Sequence, residues 1–223
     1  MADKMDEMIL AVDTEVLRKS GYFQGLDFDK CENLLMTLSK ENCRFVRRGD
    51  AETNEDLKQL IPYVIVTHGG KILCYVRGKK SGETRLASKA SIGIGGHIND
   101  SDGSLSSNED ISKAYKIAME REINEELNIP GGYTYSTVAI LNDDSNSVGR
   151  VHLGMVHMVV TNDDNVTFAE PDVIMDVSWK TLPELKAMTN LENWSSICVE
   201  VIEAIMLHPN TGLMSGEKLC KNQ

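Results

Sequence analysis

The residues most able to do chemistry lie in one run, Arg121-Glu122-Ile123-Asn124-Glu125-Glu126-Leu127-Asn128-Ile129. On a helix, Glu122, Glu125 and Glu126 stand at i, i+3 and i+4 and share one face. Three carboxylates so placed repel one another unless a cation lies between them. A hard divalent ion, Mg2+ or Mn2+, accepts such oxygen ligands. Arg121 lies one helical turn before Glu125 and can pair with it, holding the carboxylate in one rotamer. Met119, Ile123 and Leu127 form an apolar stripe on the other side that can anchor the helix to a core. A solvated, Glu-rich helix face is the bland alternative. Gly95-Gly96 upstream argues against it, because paired glycines let a backbone approach a ligand closely and bare a carbonyl that can serve as a further metal ligand.

These residues need elements to position them. A helix is expected over about residues 109–128, capped by Ser107 or Asn108 and stopped at Asn128, which tolerates the left-handed conformation. Ser91–Ile98 reads as a short strand running into the glycines, followed by a polar loop. Tyr63–Thr67 and Lys71–Val76 are β-rich runs around His68-Gly69-Gly70, a hairpin that opens after Pro62. Arg77 to Arg85 is a polar, basic loop. Tyr133–Leu141 and Val151–Val160 read as strands joined by a polar loop, with another strand near Val173–Trp179 and a helix over Ser195–Leu207. Residues 1–58 read as mainly helical, with Leu34, Leu35 and Leu38 at helical spacing inside Cys31–Glu41. Arg47-Arg48-Gly49-Asp50 reads as a turn, and its Arg-Gly-Asp triplet as a chance match to an adhesion motif. Strands interleaved with helices imply an α/β fold with helices on the sheet faces. The organisation expected is an extension over 1–58, a core domain over 59–208 and a loose tail over 209–223.

The 223 residues hold 23 Lys+Arg and 34 Asp+Glu, a net charge of -11. Such a chain repels nucleic-acid backbones, so nucleic acid is not the expected partner. It also repels free phosphates unless a bound cation inverts the local field, which returns the argument to the glutamates. No apolar run of about 18 residues suggests a membrane span. The polar N-terminus lacks a signal-peptide core. Cys31, Cys43, Cys74, Cys198 and Cys220 are scattered and never in a Cys-x-x-Cys pair, so reduced thiols in a cytoplasmic protein are expected.

Gly-Gly followed by a helix bearing Arg-Glu-apolar-x-Glu-Glu resembles the signature of the Nudix hydrolases. Here it reads Gly95-Gly96-His97-Ile98, then Arg121 to Ile129. Two departures stand out. The loop between Gly96 and Arg121 is longer than the family's. The family's first signature glutamate falls on Lys113 when counted back from Arg121 and on Asp102 when counted forward from Gly96; Glu109 is a further candidate. Lys58-Gln59-Leu60-Ile61-Pro62-Tyr63, Ser91 to Asn99, Asn142-Asp143-Asp144-Ser145 and Val148 to Gly154 also resemble a little-characterised bacterial Nudix subgroup, sometimes labelled phosphoesterase.

The resemblance implies a Nudix-like α/β/α sandwich with a mixed sheet. It implies hydrolysis of a diphosphate linkage within a nucleoside diphosphate joined to another moiety, a small-molecule substrate. Mg2+, or Mn2+, would be held by Glu122, Glu125, Glu126 and the Gly95 carbonyl, with Arg121 orienting the glutamates. Many members are homodimers. The base often lies outside the signature, and Glu170 is the candidate here. Arg77, Lys79, Lys80, Arg85 and His97 are candidate phosphate contacts. Two other activities occur on this fold: nucleotide sensing without cleavage, and isoprenyl diphosphate isomerisation, for which Cys74 is the available thiol.

Overall fold

The computed structural model describes residues 3–29, 38, 41–77, 89–169, 174–207 and 215–218. In chain order the described elements are β1 (Met8–Asp13), α1 (Thr14–Lys19), β2 (Gly25–Asp27), β3 (Cys43–Arg47), α2 (Arg48–Ala51), β4 (Leu57–His68), β5 (Lys71–Arg77), β6 (Ala90–Ser91) and β7 (Gly93–Ile94). There follow α3 (Asn108–Glu126), β8 (Leu127–Asn128), β9 (Tyr133–Asn142), β10 (His152–Thr161), β11 (Thr167–Phe168), β12 (Ile174–Lys180), α4 (Leu182–Lys186), α5 (Asn193–Leu207) and β13 (Ser215–Lys218). The chain is of the α/β class that its pattern of elements predicts. It packs as two compact units, one of residues 1–63, 95–122 and 139–156, the other of 64–94, 123–138 and 157–223.

In the first unit β1 runs antiparallel to β3, from Met8 opposite Arg47 to Val12 opposite Cys43. It also pairs with β4, with Ala11 opposite Gln59. Strand β2 lies along the end of β9, with Gly25 opposite Asn142. Ile9, Ala11, Ala51 and Leu57 form a core cluster here. Residues 1–58 are therefore not mainly helical as described; strands β1, β2 and β3 alternate with short helices. Ile9 to Val12 are consecutive and all buried. A strand buried on both faces gives an unbroken apolar run, which periodicity cannot distinguish from helix. The helix expected over Cys31–Glu41 lies almost wholly outside the described residues. Arg48–Ala51 is a helical turn, not an open one.

In the second unit the expected hairpin is present. Thr67 faces Ile72 and His68 faces Lys71. Gly69 and Gly70 take φ of 55° and 76°, the positive values that a tight two-residue turn requires. Strand β4 does not open after Pro62 but runs through it from Leu57, since proline withdraws only one ladder donor. Strand β12 pairs with β5 across a bulge between Met175 and Ser178. Strand β13 pairs with β9 from Ser215 opposite Ser136 to Lys218 opposite Tyr133. The tail is thus not loose throughout, because backbone groups of β9 recruit part of it into a ladder.

Helix α3 starts as expected, with the Asp110 amide donating to Ser107 Oγ at 3.1 Å. Its buried side includes Ile111, Tyr115, Met119 and Ile123, continued by Leu127. Its end differs from expectation. Leu127 and Asn128 are extended and pair with Phe168 and Thr167, so Asn128 is a ladder residue and not a left-handed cap. The positive φ falls instead at Gly132, at 70°. Cys43, Cys74 and Cys198 are buried thiols. Among the described residues, no helix is long and apolar enough to cross a membrane.

His157, on β10, is fully buried, and its Nδ1 lies 3.0 Å from Thr137 Oγ1. Burial pushes its pKa down to about 3. Above pH ~6.5 the imidazole is neutral in both folded and unfolded chains and contributes no pH dependence. As pH falls from there towards 3, the unfolded chain takes up a proton that the folded chain refuses, so stability drops by about 1.4 kcal/mol per pH unit from this group. Urea unfolding between pH 6.5 and 4 is expected to show that slope in wild type and a shallower one in His157→Gln. Equal slopes would refute the buried neutral imidazole.

Candidate active site

The segment Gly95-Gly96-His97 and the end of α3 meet at glycine. A Cβ built on Gly96 would overlap the Glu122 carboxylate, and one on Gly95 would overlap the Pro62 carbonyl oxygen. Only glycine lets the loop lie this close to the carboxylate. The loop and helix are then locked by Arg121. Its Nε donates to Asp102 Oδ1 at 2.8 Å and its Nη2 to Asp102 Oδ2 at 2.9 Å. Nη2 also donates to the His97 carbonyl at 2.9 Å, and Nη1 to Glu122 Oε1 at 2.7 Å. One planar fork therefore grips the loop twice and orients the first glutamate. These contacts, led by the Asp102 hydrogen bond and opposed by burial, raise the guanidinium's pKa above its usual value.

The structure gives the Arg121 fork to Glu122 and to Asp102, a partner that helical spacing does not point to. Asp102 is almost fully buried. It ends a 3-10 turn, Asp100–Asp102, where its Oδ2 also accepts the Asn99 amide at 2.7 Å. The position counted forward from Gly96 is thus the one that pairs with the arginine. Lys113, counted backward, is exposed on α3.

Glu122 and Glu126 are half-buried and Glu125 is exposed. They occupy i, i+3 and i+4 of one continuous helix, with the apolar side of that helix buried. A carboxylate triplet of this spacing, with Gly96 cradling Glu122, suits a hard divalent cation. Arg77 ends β5, its backbone opposite Ile174; its side chain, and all of Lys79, Lys80, Arg85 and Glu170, lie outside the described residues. His97 Nε2 is 2.8 Å from Gln59 Oε1. Burial first, then the charges of Arg48, His152 and Lys4, hold its pKa well below the usual imidazole range. Of the two β10 histidines, His152 is the one that reaches His97, with ring centroids 5.7 Å apart. The subgroup motifs also acquire a structural role. Lys58, buried on β4, donates to Asp144 and to the Gly149 carbonyl, tying three of those stretches together.

The crystal structure of Tm1382, described as a Nudix hydrolase, matches the fold with a TM-score of 0.75 at 29% identity, covering 89% of this chain and 100% of that one. The chain therefore has the Nudix hydrolase fold, and the match supports a hydrolase acting on phosphoric anhydrides. Among curated proteins, Protein YmaB of Bacillus subtilis (strain 168) is 35% identical over 209 residues, covering 90% of this chain and 99% of YmaB. No family model matches the chain.

Proposed function

We propose that this chain is a Mg2+-dependent hydrolase that cleaves the diphosphate bond of a nucleoside diphosphate linked to another moiety. The observation that carries the proposal is the Arg121 fork, which fixes the glycine loop against the Glu122 carboxylate at the head of the glutamate triplet. Glu122, Glu125 and Glu126, with the Gly95 carbonyl, would hold Mg2+ or Mn2+. The ion would neutralise diphosphate charge and acidify a water. Arg121 keeps Glu122 in one rotamer and the loop in place. Glu170 is the proposed base, and Arg77 and Arg85 the proposed contacts to distal phosphate. The homodimer and the cytoplasmic location remain part of the proposal. A partnership with nucleic acid does not, given a net charge of -11.

Hydrolysis is favoured over isomerisation by the state of Cys74. It is buried on β5, and burial pushes its thiol pKa up, with Lys180 opposing. A thiol in that setting is a poor reactive group. The test is a hydrolysis screen over nucleotide sugars, dinucleoside polyphosphates, ADP-ribose and nucleoside triphosphates, with Mg2+, with Mn2+ and with EDTA. Metal-dependent release of a nucleoside monophosphate is expected. Tight nucleotide binding by thermal shift with no turnover on any substrate would replace the hydrolase with a sensor.

A further inference from the structure

Glu52, His97 and His152 lie outside the glutamate triplet, and the proposed hydrolysis does not use them as ligands. Each offers one ligating atom, and the three atoms all lie within 4.8 Å of one another. They come from three separated stretches of the first unit: the residue closing α2, the residue after Gly96, and the first residue of β10. We propose that these three side chains form a second metal site, for a divalent transition metal of the zinc class.

Three observations support the assignment. First, each imidazole is oriented through one nitrogen. His152 Nδ1 is 2.8 Å from the Val148 carbonyl, which can only accept, so the ring donates there and its lone pair sits on Nε2. His97 Nε2 faces Gln59 Oε1 at 2.8 Å, which places its lone pair on Nδ1. A histidine that ligates a metal through one nitrogen commonly donates the other N–H to a carbonyl in this way. Second, the set is two imidazoles and a carboxylate. Nitrogen ligands select zinc-like ions over Mg2+, and three protein ligands leave a position for water. Third, the charge is prepared. Arg48 Nε lies 3.7 Å from Glu52, but Arg48 Nη1 also donates to Glu7 at 3.1 Å. Glu52 can therefore turn to a cation without leaving the guanidinium unpaired. Tetrahedral zinc–ligand bonds of about 2.0–2.2 Å put ligand atoms about 3.4 Å apart, so the three atoms would close by up to about 1.4 Å, a side-chain adjustment.

The test uses full-length protein dialysed against EDTA and titrated with Co2+, followed by its visible d–d bands. Wild type and Glu125→Gln are expected to bind Co2+ at the histidine site with equal affinity, read from the intense bands of a nitrogen-ligated, low-coordinate ion and displaced by Zn2+. Glu52→Gln, a near-isosteric change, and His152→Ala are expected to weaken binding about 100-fold or more. Glu52→Gln keeps the test decisive if His152→Ala fails to fold. Co2+ binding lost in Glu125→Gln but intact in Glu52→Gln would assign the metal to the glutamates and overturn the proposal. So would wild type that binds no Co2+.

Discussion

Glu125→Gln is expected to lower metal-dependent hydrolysis by about 100- to 1,000-fold while the chain remains folded. A ligand that holds a catalytic ion supplies several kcal/mol of charge stabilisation, and about 3–4 kcal/mol converts to that loss at ~1.36 kcal/mol per tenfold. The fold is expected to survive because Glu125 is exposed on α3 and its removal leaves no cavity. Removing one of three like charges at i, i+3 and i+4 also relieves repulsion. In EDTA the variant should therefore unfold at or slightly above the wild-type temperature. With Mg2+, wild type should gain thermal stability by linkage and the variant should gain less. Unchanged turnover would remove Glu125 from the site. A collapse of stability in EDTA would make it a structural residue.

Asp102→Asn is expected to cost about 3 kcal/mol of stability. Removing one partner of a buried ion pair leaves an uncompensated charge, which is more damaging than the pair itself is stabilising. Here the partner left behind is Arg121, whose Nε and Nη2 both donate to Asp102. Glu122 and the His97 carbonyl still hold the guanidinium, which keeps the cost at the lower end of the range. The urea midpoint should fall with an unchanged m-value. Turnover should fall as well, because the fork is what holds the Gly96 loop against Glu122. Arg121→Lys should not substitute, since a lysine cannot make the bidentate grip. A double-mutant cycle of Asp102→Asn with Arg121→Met isolates the pair, and a coupling near zero would show that the fork holds nothing.

Much of the site was legible in the sequence because helix spacing is local. The i, i+3, i+4 glutamates, the apolar stripe of Met119, Ile123 and Leu127, and the cap at Ser107 follow from 3.6 residues per turn and need no distant partner. The hairpin at Gly69-Gly70 was legible for the same reason, since two adjacent positive φ values require glycine.

What depended on residues far apart in sequence was decided only by the tertiary structure. Helix spacing says nothing of carboxylates across a loop, and the fold brought Arg121 such a partner in Asp102, 19 positions upstream. Asn128 can cap a helix or join a ladder, and pairing with Thr167 settled it. Residues Ile9 to Val12 suit helix or buried strand, and β3 and β4 provided the ladder. His152 and His157 are equivalent as letters, yet one reaches His97 and Glu52 while the other is buried beside Thr137. The sequence by itself determined which residues carry charge and which helix face presents them. The tertiary structure decided their partners, because a hydrogen-bonding side chain is satisfied by whatever the fold brings within about 3 Å, and spacing along the chain does not encode that.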